Sequence, residues 1–245
     1  HAVINRDDRQ WTRLRNRARE AGIAHIHGFG EHRQARCKLL SWRGDSTGSE
    51  MVVRIGGADL AVRLAAAGRH MAQNMLGVLM AVELAGGDLE RAAIALAGFQ
   101  PEPGRGRRLQ LDHRDGPITL IDESYNANPA SMRAAIELLA LAEPASHGRR
   151  IAVLGDMLEL GDHSAKLHAD LAIPLQEAGP DLVFLAGEQM RALATKLDPA
   201  MHVSHHADAD ELAIALLDAI AGGDVVMVKS SNGIGFSRIV DQLAK

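Results

Sequence analysis

A chain of 245 residues with 47% apolar and 24% charged side chains can bury a full core, as one large domain or two smaller ones. Its acids and bases are interspersed and sum to a net charge of -4, which leaves no basic footprint for nucleic acid and no polybasic anchor for a membrane surface. No apolar run approaches the roughly 18 residues that span a bilayer, and the single cysteine, Cys37, excludes an internal disulfide and fits a reducing, cytoplasmic compartment.

Residues 1–5 read as a strand already under way, followed by an amphipathic helix from about residue 9 to 21 with Trp11, Leu14 and Ala18 on one face. A start inside a βα unit leads to the expectation of a piece of a longer polypeptide, with unpaired strand edges and an uncovered apolar face on residues 1–98. Residues 24–29 read as the next strand, completing a right-handed parallel βαβ unit. Gly28-Phe29-Gly30 lacks the third glycine of a dinucleotide loop and reads as a plain turn. Runs at 35–42, 50–55 and 58–64 are separated by Gly-Asp-Ser-Thr-Gly and Gly-Gly, which predicts an antiparallel meander with a tight hairpin at Gly56-Gly57.

Residues 68–86 predict a long helix with a buried stripe through Met75, Val78, Leu79, Ala81, Val82 and Ala85, ended by Gly86-Gly87, and a second helix follows at 89–96. His70 and Asn74 lie four apart and share one face of its first turn; spacing alone fits a capping and solvated pair. Phe99-Gln-Pro-Glu-Pro-Gly-Arg-Gly-Arg-Arg108 suppresses helix and sheet alike, so the chain divides into 1–98, a linker at 99–108, and 109–245.

From residue 109 the pattern is α/β. Strands are predicted near 109–112, 117–121, 150–155, 181–186, 202–204 and 224–229, and helices near 129–143, 164–178, 188–196, 208–221 and 235–243. Such alternation predicts a mostly parallel, Rossmann-like sheet whose strand C-termini carry the functional residues. Three of those ends turn polar in an organised way. The first is Leu120-Ile-Asp-Glu-Ser-Tyr-Asn-Ala-Asn-Pro-Ala-Ser-Met132, with Asn128 placed to cap a helix and Pro129 in its first position. The second is Val153-Leu-Gly-Asp-Met-Leu-Glu-Leu-Gly161, followed by Ser164 and His168, and the third is Val225-Val-Met-Val-Lys-Ser-Ser-Asn-Gly233. Taken alone, Asp122 and Asn126 also fit an ordinary turn, Asp156 and Glu159 solvated carboxylates, and Lys229 a surface lysine. His202, His205 and His206 have no carboxylate or cysteine to complete a metal site and read as strand-edge and loop residues.

The string from Asp122 to Met132 resembles the C-terminal domain of the ATP-dependent Mur ligases. Gly155-Asp-Met-x-Glu-Leu-Gly-x-x-Ser-x-x-x-His168 is similar to the signature of the branch that joins D-alanyl-D-alanine to UDP-N-acetylmuramoyl-tripeptide. The resemblance implies a C-terminal Rossmann-like domain preceded by the second half of a Mur-ligase central ATPase domain. It implies ATP and Mg²⁺ as cofactors and an acyl-phosphate route in peptidoglycan synthesis. Residue by residue, it implies that Asn74 contacts adenine with His70 beside it, that Arg105 reaches a phosphate and that Asp122 contacts the ribose. Tyr125, Asn126, Asn128, Asp156, Glu159, Lys229, Ser231 and Asn232 would shape the dipeptide side. Met71 departs from the family's Asn and Ser230 from its usual Gly. No Gly-x-x-x-x-Gly-Lys-Ser/Thr loop occurs in the chain. The family places that loop and the metal ligands upstream, so no catalytic or metal-ligating residue is assigned here, and the chain alone is expected to bind nucleotide weakly and turn over nothing. The other reading is a nucleotide- or dinucleotide-binding module without ligase activity, built on Gly233-Ile-Gly235, which lacks a third glycine and an acidic ribose ligand.

Overall fold

The computed structural model describes residues 1–45 and 47–244, which form two compact units, one from His1 to Gln100 and one from Pro101 onward.

The first unit runs β1 (Ala2–Asn5), α1 (Trp11–Glu20), β2 (Ile26–Gly30), β3 (Cys37–Gly44), β4 (Ser49–Ile55), β5 (Ala58–Leu64), α2 (Arg69–Leu84) and α3 (Leu89–Leu96). Its strands lie in that order in one sheet, parallel from β1 to β3 and antiparallel from β3 to β5, so the predicted meander is present. Gly28-Phe29-Gly30 is not a turn: it lies in β2 and pairs with β1 and β3. The face of α2 also differs from expectation. Ala72, Met75, Leu76, Leu79 and Met80 are buried, whereas Val78, Ala81 and Ala85 are exposed, because a helix apolar nearly all round does not mark in sequence which side meets the sheet. Leu14 of α1 is likewise exposed, while Ala18 is buried. The outer side of β4 and β5 mixes the charged Glu50, Arg54, Asp59 and Arg63 with the apolar Val52 and Ala61.

The second unit runs β6 (Arg107–Leu111), β7 (Ile118–Glu123), α4 (Pro129–Ala140), β8 (Arg150–Gly155), α5 (Ser164–Ala169), α6 (Ala172–Ala178), β9 (Leu182–Ala186), α7 (Arg191–Ala194), β10 (Val203–His206), α8 (Ala209–Ala219), β11 (Val225–Lys229) and α9 (Ser237–Leu243). The sheet order is β10-β9-β8-β11-β7-β6, with only β6 antiparallel to its neighbour. Leu120, Val153, Val226 and Val228 of the central strands pack with Leu212 and Leu216 of α8 and Phe236 and Ile239 of α9, while α4 lies against β8 and β11. Every residue of β11 is buried, as expected of a strand covered on both faces.

The helix predicted over 164–178 is broken into α5 and α6. Pro174 has no N–H for the carbonyl of Asp170 and its ring would clash with it, and that carbonyl accepts from Arg133 Nη2 at 3.4 Å instead. One consequence of the strand order positions the site. The last strand, β11, sits between β7 and β8, with Lys229 paired to Glu123 on one side and Leu154 on the other, so the three polar strand ends finish side by side.

Candidate functional site

The loop after β7 is held by its own polar atoms. Asn128 caps α4: its Oδ1 accepts from Ser131 N–H at 2.9 Å, and its own N–H donates to Ser131 Oγ at 3.0 Å. Asp122 is buried. Its Oδ1 accepts from the hydroxyl and N–H of Ser124, at 2.6 and 3.1 Å, and its Oδ2 accepts from Gly104 N–H at 2.7 Å. The linker is drawn in further by Gly106 N–H, which donates to the Asp122 carbonyl, and by Tyr125 N–H, which donates to that of Gly104. Gly104 has φ +77°, and a Cβ there would stand 2.7 Å from that of Tyr125, so only glycine fits this approach. Between Gly104 and Gly106 the exposed Arg105 lays its guanidinium over the Tyr125 ring, 4.0 Å from the centroid.

The loop after β8 is fixed at two points. Asp156 turns its carboxylate away from solvent onto the N–H groups of Gln189 and Met190, at 3.2 and 2.9 Å, just ahead of α7, to which the helix predicted over 188–196 is confined. His168, fully buried, accepts from Met157 N–H through Nε2 at 2.9 Å and approaches the Ser164 carbonyl to 2.8 Å through Nδ1, an arrangement that places the ring proton on Nδ1. Between these anchors Glu159 takes a left-handed backbone conformation, φ 62°, uncommon for a residue with a side chain. The loop after β11 stitches the other two together. Ser231 N–H donates to the Asp156 carbonyl, Leu158 N–H donates to Ser231 Oγ at 2.9 Å, and that hydroxyl reaches the Ala127 carbonyl at 3.4 Å.

Together the three loops enclose a pocket of about 450 Å³, lined by Tyr125 to Asn128, Leu158 to Leu160 and Ser231 to Gly233. Six of the residues assigned to the dipeptide side therefore share one pocket: Tyr125, Asn126, Asn128, Glu159, Ser231 and Asn232. Asp156 and Lys229 do not line it. Asp156 is spent on the loop after β9. Lys229 is 1% exposed, and its Nζ donates to the Asn126 carbonyl at 3.0 Å, to Glu123 Oε2 at 3.2 Å and, at 3.5 Å, to the Glu123 carbonyl. Three residues beyond the sequence assignments thus hold the site: Glu123, Ser124 and His168. Glu123 carried a signal, a second carboxylate at the end of an apolar strand, and His168 closes the polar string that follows β8.

In the first unit His70 and Asn74 lie on α2, with Asn74 exposed and His70 partly buried; Gly68, φ +98°, leaves room for the His70 ring. Cys37 is fully buried, and burial aided by the nearby Glu83 charge pushes its thiol up to about 12, which makes it inert near neutrality. His205 contacts the Gly187 carbonyl from the edge strand β10, and His206 stacks on Phe184. Among the described residues no cluster of three or more His, Cys, Asp or Glu side chains could hold a metal ion, and no helix is long and apolar enough to cross a membrane.

Comparison with known proteins agrees along the chain. Residues 1–82 match the Mur ligase middle domain, and residues 107–232 match the Mur ligase glutamate ligase domain. A UDP-N-acetylmuramoyl-tripeptide--D-alanyl-D-alanine ligase of Rickettsia prowazekii is 27% identical over 240 residues, covering 98% of this chain and 52% of the relative. The enzyme of that name from Escherichia coli is 32% identical over 200 residues, covering 81% and 42%. That from Mycobacterium tuberculosis is 34% identical over 206 residues, covering 76% and 40%. Among solved structures, a MurF from Acinetobacter baumannii superposes with a TM-score of 0.83 at 23% identity, covering 99% of this chain and 51% of that one. The MurF ligase from Thermotoga maritima in complex with ADP gives 0.78 at 21%, covering 99% and 52%. At such identity the structures establish the fold. The chain spans about half the length of these relatives.

Proposed function

The chain belongs to the Mur ligase family, and on that premise we propose that it takes part in the ATP-dependent joining of D-alanyl-D-alanine to UDP-N-acetylmuramoyl-tripeptide, a cytoplasmic step of peptidoglycan synthesis. The observation that carries this reading is the meeting of three polar strand-end loops around one pocket of about 450 Å³. The name that the curated relatives share supports it.

Bound ATP supplies the phosphoryl group that turns an unreactive carboxylate into an acyl phosphate with a good leaving group. What remains for this chain is binding and orientation. In this reading Asn74, with His70 behind it, meets the adenine. Asp122 meets the ribose with lone pairs left over from its bonds to Gly104 and Ser124, and Arg105 presents a planar fork to a phosphate. Tyr125, Asn126, Asn128, Glu159, Ser231 and Asn232 receive the dipeptide, and Asp156 and Lys229 shape the walls. Residues 1–98 act as part of the central nucleotide-binding domain, 99–108 as the hinge and 109–245 as the C-terminal domain. No phosphate loop is present in the chain, and no carboxylate cluster among its described residues fits Mg²⁺, so neither group is assigned to it.

The test is ligation of D-alanyl-D-alanine by this chain fused behind the phosphate-loop half of a curated relative. The 245-residue chain by itself is expected to release no phosphate from ATP. The fusion is expected to ligate, and Asp122→Ala to lower its rate by roughly a hundredfold or more through misplaced reactants. A folded fusion that ligates nothing, or a chain that binds NAD more tightly than ATP, would favour the binding-module reading instead.

A further inference from the structure

An ammonium group has three N–H donors, and Lys229 spends all three on the protein, on the Asn126 carbonyl, the Glu123 carbonyl and Glu123 Oε2. Both partners of the ion pair are buried, with Lys229 1% and Glu123 8% exposed. Such a pair is an expensive way to fill a core, because desolvation offsets most of the attraction and apolar residues of similar volume commonly serve as well. Stability alone therefore does not explain it. What an apolar pair cannot do is hold a carbonyl. The Asn126 carbonyl belongs to the pocket wall, and the next one along, that of Ala127, is reached by Ser231 from the same strand end. Side chains two apart at the end of β11 thus grip successive carbonyls of the wall, in a register that sets Lys229 opposite Glu123.

We propose that Lys229, neutralised by Glu123, is a positioning residue: it never touches substrate but fixes the Tyr125–Ala127 wall at the height the amine substrate requires. The inference rests on the reading of this pocket as the dipeptide site. It differs from the role implied by resemblance, in which Lys229 lines the cleft.

The experiment has three readouts. In the 245-residue chain, acetylation by an N-hydroxysuccinimide ester, mapped by mass spectrometry, is expected to modify Lys166 and Lys196 while sparing Lys229. Lys229 acetylated at their rate, or protected only when D-alanyl-D-alanine is added, overturns the proposal. Tyr125 is the sole tyrosine, so 3-fluorotyrosine gives one ¹⁹F resonance on the wall. That resonance is expected to shift or broaden in Lys229→Met, and an unchanged line overturns the proposal. If the single variant does not fold, the isosteric pair Glu123→Leu/Lys229→Met, which leaves no lone buried charge, answers the same question through the same resonance. In the ligating fusion, the paired variant is expected to raise KM for D-alanyl-D-alanine roughly tenfold or more by misplacing the wall while leaving KM for ATP within about twofold. Equal losses for both substrates overturn it. Should the fusion prove indifferent to the dipeptide, the pocket reading fails, and the acetylation and fluorine results still decide whether Lys229 holds the wall.

Discussion

Asp122, Asp156, Glu159 and Lys229 look alike in the sequence, each a charged residue at or just past the end of an apolar run. The fold gives them different work. Asp156 finds two backbone N–H groups more than thirty residues away, Lys229 finds a carboxylate from another strand, and Glu159 alone of the four lines the pocket. The strings identified the loops, but not which way each side chain turns, because that depends on partners distant in sequence. Glu159 holds a conformation that glycine tolerates freely and glutamate at a cost of about 1 kcal/mol. Glu159→Gly is therefore expected to raise unfolding stability by up to about that amount in urea denaturation while weakening dipeptide binding. A drop in stability would show that the carboxylate itself braces the loop.

At the scale of elements, the helix start at Asn128-Pro129 was legible to the residue, because capping chemistry is local. Asn128→Ala is expected to cost about 1 kcal/mol and Asn128→Ser almost nothing, since serine also caps; equal effects in thermal unfolding would assign the residue to the pocket rather than the helix. The face of α2 was not legible, because its burial depends on the sheet it meets. The break between α5 and α6 was written in Pro174, whose consequence appears only when the Asp170 carbonyl is followed to its partner. In β3, Cys37 offers a native probe of the first unit. With its thiol raised to about 12 and no exposed surface, it is expected to ignore Ellman's reagent at pH 8 until that unit opens. Rapid labelling of the folded chain would contradict its burial.

For the molecule as a whole, alternation announced a parallel sheet in the second unit but not its strand order, since any insertion of β11 is compatible with the same pattern. The ends of the sheet have separate tasks. At the end away from the pocket, the buried Asp224 accepts from Arg149 Nη2 at 2.7 Å and from the N–H groups of Arg149 and Ala221. Arg149→Met leaves that carboxylate only its backbone N–H donors and is expected to cost about 2 kcal/mol without altering the pocket. A changed dipeptide KM in a folded variant would show the two ends to be coupled.

The central place of β11 has a consequence for biosynthesis. The contact of Lys229 with Glu123 spans 106 positions, and β7 and β8 have no strand to join them until residues 225–229 leave the ribosome. A nascent chain stalled before that point has nearly every helix of the unit yet no pocket. The binding site thus cannot form before β11 is made, and loss of the Lys229 and Ser231 contacts removes the wall's support while leaving the sequence of the loop after β7 intact.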